Sequence, residues 1–73
     1  MKPLTRTQLN VLRFLLEHIA DQGFPPTRAE IARHFAFRSP NAAECHLRAL
    51  EAKGAIAMTP GVSRGLRVVE GAG

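Results

Sequence analysis

Two helix-start signals lie twelve residues apart, and the space between them dictates the middle of the fold. At the first, Thr27 precedes Glu30 by three residues, the spacing of a capping box, in which each side chain satisfies a free backbone N–H of an opening helix. At the second, Ser39 is placed to cap and Pro40 takes the first helical position, where its missing N–H is no loss. Only a short helix fits between them, from about Arg28 to Phe35 with Ile31, Ala32 and Phe35 inward, closed by a tight turn over Ala36-Phe37-Arg38. A longer helix then runs from Pro40 to about Lys53, with Gly54 as its terminator. Upstream, Phe24-Pro25-Pro26 cannot continue a helix, because two prolines remove donors and push the preceding residues to extended conformations.

The flanks complete one small domain. Thr5 and Gln8 repeat the capping-box spacing, so a first helix starts at about Arg6 and ends at Gly23, with Val11, Leu12, Leu15 and Ile19 on one side at about 100° per residue. Leu9, Leu16 and Ala20 form a second apolar line off that stripe; either other parts of the domain cover it or it meets another protein. After Gly54 the period changes to alternation, which puts Ile56, Met58, Leu66 and Val68 on one side of a hairpin. Thr59-Pro60-Gly61-Val62-Ser63, followed by Arg64-Gly65, is turn material between its strands. The expected fold is mainly α with a small β-hairpin, a winged helix-turn-helix over residues 1–70, with 71–73 a tail or the start of a linker. At 73 residues the chain buries only about 60% of its unfolded surface, which excludes a two-domain enzyme.

Charge directs the functional reading. Ten Lys and Arg against six Asp and Glu give +4, which points to an anionic polymer as partner, while 45% apolar residues exclude a disordered basic arm. On the third helix Ala43, Leu47 and Leu50 fall within about 60° and face the core. The opposite side holds Asn41, Cys45, Arg48, Ala49 and Ala52, with Ala42 and Glu44 at its flanks. An ordinary solvated face would be filled with Glu and Lys, whereas alanines let a backbone approach a surface closely. Asn bonds adenine at two points, Glu accepts from the cytosine amino group, and an alanine methyl touches a thymine methyl. Glu44 opposes phosphates, so at DNA it must read a base; the plainer reading is a pair with Arg48 one turn on. Arg28, Arg48, Lys53, Arg64 and Arg67 surround this helix and are candidates for phosphate contact, though any one of them alone reads as a solvated surface charge.

The runs Pro25-Pro26-Thr27-Arg28-Ala29-Glu30-Ile31-Ala32, Phe37-Arg38-Ser39-Pro40-Asn41-Ala42-Ala43-Glu44 and Leu47-Arg48-Ala49-Leu50, with Ser63-Arg64-Gly65 later, closely resemble the DNA-binding domain of the LexA repressor family. The resemblance covers nearly all of residues 1–70. It implies a winged-helix domain that binds palindromic operators with CTGT-type half-sites as a dimer and represses DNA-damage (SOS) genes in the bacterial cytoplasm, at the nucleoid. It also implies base contacts by the residues matching Ser39, Asn41, Ala42 and Glu44. Cys45 stands where the family commonly carries a second Glu, which puts half-site preference there in question, and Leu9 and Leu16 stand where polar residues are expected. The family's self-cleaving Ser/Lys domain, through which the parent protein would contact RecA, is not expected in this chain. An excised domain or a naturally short repressor is expected instead, with Ala72-Gly73 matching the family's cleavage dipeptide by coincidence.

The same residues bear on other functional classes. Cys45 and His46 point about 100° apart on a helix, so no nucleophile–base pair is expected, and no enzyme. His18, His34 and His46 lie on separate helices without compact ligand spacing, so neither metal nor cofactor is expected. The longest apolar run, Ala55 to Met58, is far short of the ~20 residues of a membrane span. One cysteine and no leader pattern suit the cytoplasm. RNA binding lacks an aromatic platform, since the chain has no Trp or Tyr. The main alternative is a winged-helix protein-interaction module, which would lack the salt dependence of a DNA binder.

Overall fold

Both capping boxes form. Thr5 Oγ1 accepts from the Gln8 N–H at 3.1 Å while the Thr5 N–H donates to Gln8 Oε1 at 3.0 Å. Thr27 and Glu30 do the same at 3.1 and 2.7 Å. In the computed structural model, which describes residues 3–69, these boxes open α1 (Arg6–Gln22) and α2 (Arg28–Phe35). The expected tail at 71–73, with its Ala72-Gly73 dipeptide, lies outside the described residues. The third helix, α3 (Pro40–Ala52), departs from expectation at its start: Ser39 occupies the cap position with extended backbone, but its hydroxyl makes no capping bond. Pro40 at the first position leaves no N–H there to satisfy, and the Ala42 N–H reaches the Ser39 carbonyl at 3.1 Å.

At the other end of α3 the Gly54 N–H bonds the Glu51 carbonyl and the Ala55 N–H bonds the Leu50 carbonyl, each at 2.9 Å. This closure needs a left-handed residue, and Gly54 adopts φ 82° without a Cβ to clash. It turns the chain directly into β1 (Ile56–Met58), which pairs antiparallel with β2 (Leu66–Val68). Ile56 lies opposite Val68 and Met58 opposite Leu66, so the four apolar residues share one side as the alternation predicts. The wing loop closes tightly at Gly65, where a Cβ would meet the Val62 Cβ at 2.7 Å and the Thr59 carbonyl at 2.9 Å.

Val11, Leu12 and Leu15 of α1, Ile31 and Ala32 of α2, and Ala43, Leu47 and Leu50 of α3 form one core with Ala55 and Ile56. Met58, Leu66 and Val68 pack the wing against it. α2 packs on α3, and α3 also carries α1 and β1, so α3 is the element that every other one positions. The helical phase read for α3 holds: its three core residues are buried and its opposite side faces out.

Candidate nucleic-acid interface

The outward side of α3 is small and polar. Asn41, Cys45, Arg48 and Ala52 are exposed, with Ala42 and Ala49 half-buried at its edges. Ser39 stands half-buried just before the first turn, its hydroxyl uncommitted to the cap. No bulky apolar residue interrupts this side, so a base-pair edge can come close to the helix backbone.

Glu44 sits between two guanidinium groups. Its Oε1 is bonded by Arg28 Nη1 from the start of α2, and its Oε2 lies 3.2 Å from Arg48 Nη2, one turn on. The pair with Arg48 is thus present, and Arg28 adds a contact across the helix-turn-helix that the sequence spacing did not suggest. The carboxylate is only 25% exposed while Arg48 is 72% exposed, so the arginines reach farther into solvent than the charge they compensate. With two cations around one anion, the cluster stays attractive to phosphate despite its carboxylate.

Two of the expected phosphate contacts already have partners within the chain. Lys53 Nζ donates to the Pro3 carbonyl at 2.9 Å and to Gln8 Oε1 at 2.6 Å, tying the end of α3 to the capping box of α1. Arg64 donates to the Pro25 carbonyl at 2.9 Å and to Glu30 Oε1 at 2.7 Å, with its guanidinium carbon 4.5 Å from the centre of the Phe24 ring. These long side chains find acceptors brought close only by folding, which is why the sequence read them as rim charges. Arg64 and the Thr27 N–H together hold the Glu30 carboxyl down at about 2, far below its ordinary 4.5. Arg67, by contrast, faces outward on β2, and among the described residues it makes no side-chain hydrogen bond or ion pair.

One residue was missed. Arg38 is exposed in the turn immediately before Ser39 and has no side-chain partner among the described residues. Its place one residue ahead of a helix start was the available signal. Between α3 and the wing runs a groove of about 390 Å³, with Arg28, Glu44 and Arg48 on one wall and Thr59, Val62 and Ser63 on the other. Glu51 spans the two elements, its Oε2 accepting from the Met58 N–H at 3.0 Å, so wing and helix are held in fixed relation.

The three histidines have packing roles. His34 stacks on Phe14 at 4.0 Å and His46 on Phe37 at 5.0 Å, and His18 Nδ1 meets the Phe24 carbonyl at 2.8 Å. Among the described residues no group of three His, Cys, Asp or Glu is placed to hold a metal, and no helix is long and apolar enough to cross a membrane.

The family model described as the LexA DNA binding domain matches residues 1–65. The LexA repressor of Pseudomonas aeruginosa is 59% identical over 68 residues, covering 93% of this chain and 33% of the relative. LexA repressor 1 of Pseudomonas putida is 59% identical over 68 residues, covering 93% of this chain and 34% of the relative. The LexA repressor of Ectopseudomonas mendocina is 57% identical over the same length, with 93% and 33% covered. The chain therefore spans about one third of the length of these relatives.

Proposed function

The chain belongs to the LexA DNA-binding domain family, and from that premise we propose that it binds duplex DNA sequence-specifically as the operator-reading part of a transcriptional repressor of bacterial DNA-damage genes. The observation that carries this is the outward side of α3, exposed, small and polar, and framed by arginines. α3 enters the major groove and the wing lies along the neighbouring backbone. Asn41 bonds an adenine edge at two points, Glu44 accepts from a cytosine amino group, the Ala42 methyl meets a thymine methyl, and Ser39 and Cys45 approach adjacent bases. Arg28 and Arg48 keep Glu44 compensated while it does so, and their outer N–H groups, with Arg38 and Arg67, meet phosphates. Lys53 and Arg64 act inside the chain, holding the frame that aims α3 and the wing.

The remaining parts of the reading follow from the family. The DNA-binding domain is assigned to residues 1–70 with 71–73 as a tail or the start of a linker, two copies occupy a palindromic operator, and the protein acts in the bacterial cytoplasm at the nucleoid. Self-cleavage and RecA contact are assigned to no residue of this chain, which spans about one third of its relatives.

Binding sites selected from random duplex DNA test this, followed by Asn41→Ala on the selected site. The substitution should cost ~1–3 kcal/mol on the operator and leave non-specific affinity nearly unchanged. Equal weakening of both would make Asn41 a positioning residue and place base reading elsewhere.

A further inference from the structure

The second apolar line on α1 is not covered by the rest of the domain. Leu9 and Leu16 are each 46% exposed and Ala20 is exposed, all within an arc of about 40° that flanks the core stripe. Leu9, Arg13, Leu16 and Ala20 are spaced four, three and four, the seam of a left-handed helix pair. The charges beside the seam have an order that helix formation does not explain. Arg6 and Arg13 lie toward the start of α1, Glu17 and Asp21 toward its end, with no acid in the first turn and no base in the last. That order opposes the helix dipole, which favours acids at the start and bases at the end. Among the described residues none of the four charges forms an ion pair, and Asp21 takes a hydrogen bond only from its neighbour Gln22, at 2.8 Å.

We propose that this side of α1 pairs with α1 of a second copy of the chain, antiparallel, about a two-fold axis that passes between Arg13 and Leu16. The midpoints of Leu9 and Ala20, of Arg13 and Glu17, and of Arg6 and Asp21 all fall between Arg13 and Leu15. One axis therefore brings each Leu9 onto the partner copy's small Ala20, lays each Leu16 against the aliphatic stem of Arg13, and sets each Arg13 beside the partner copy's Glu17. Arg13 fixes the register, since a slip separates it from that carboxylate. At 17 residues α1 is about 25 Å long, so the contact falls well below the area of a stable dimer and the pairing is weak. The inference stands on α1 alone and is independent of the DNA-binding reading.

Sedimentation equilibrium of the chain without DNA, from about 10 µM to about 1 mM, tests it, with helix content followed by circular dichroism. The chain should be monomeric at the low end and measurably dimeric at the high end. Arg13→Glu and Glu17→Arg each place like charges across the axis twice and should weaken association by about ten-fold or more. The double variant Arg13→Glu/Glu17→Arg exchanges the partners and should restore it. All four positions in the seam are exposed or half-exposed in the single chain, so helix content should not change. A chain still monomeric at the high end, single reversals without effect, or a double variant no better than the singles would each overturn the pairing.

Discussion

The structure leaves the Cys45 thiol exposed on the outward side of α3. A maleimide should therefore label Cys45 readily in the free domain and slowly on operator DNA, as followed by mass spectrometry. Equal labelling with and without operator would put position 45 outside the interface. The rim basic residues divide by whether the fold has already engaged them. Arg67→Ala should lower the salt slope of binding by about one unit on every duplex, because an outward guanidinium with no internal partner is available to one phosphate. Lys53→Ala removes two donated hydrogen bonds near the chain start and should cost about 1 kcal/mol of stability, seen as a melting temperature lower by ~4–8 °C, with the salt slope unchanged. A slope that falls with Lys53→Ala would return that residue to the phosphate rim.

At the level of elements, what was legible in sequence was what is decided locally. Capping boxes with partners three residues apart marked the starts of α1 and α2, Pro40 marked that of α3, and an alternation across two strands set the hairpin register, because these signals involve neighbours or face one side by period alone. The Ser39 hydroxyl makes no cap because the Ala42 N–H it would serve bonds the Ser39 carbonyl instead. The contacts that orient one element on another were not legible: Arg64 reaches Glu30 across 34 residues and Lys53 reaches Gln8 across 45, and no local spacing announces them. Glu30 joins both kinds, closing the α2 box and holding the wing through Arg64. Its depressed folded pKa gives that clasp a pH signature. A carboxyl held at about 2 against an ordinary 4.5 stabilises the fold fully above 4.5 and loses that contribution as pH falls toward 2. The melting-temperature difference between the chain and Glu30→Gln should therefore be largest near neutrality and shrink through that window. A difference that stays constant down to pH ~2 would show that the Arg64 clasp is not held by charge.

At the scale of the whole molecule, α3 presents one reading surface, whereas a palindrome offers two sites related by a two-fold axis and about one DNA turn, ~34 Å, apart. Within the described residues the apolar surface left for pairing is small, chiefly Leu9 and Leu16 on α1 with Val62 at the wing. A free chain at micromolar concentration should therefore sediment as a monomer, and a palindromic duplex should recruit two. The second copy gains only what a small contact adds once the first is bound, so affinity should fall below that of the same domain joined to a dimerising partner, where the second site is met at high effective concentration. Sedimentation with a fluorescent palindrome distinguishes the cases by stoichiometry. Two chains per duplex, with the second bound no more than modestly tighter than the first, is the expected result. One chain per palindrome at saturation would overturn the two-site model and leave α3 reading a single asymmetric half.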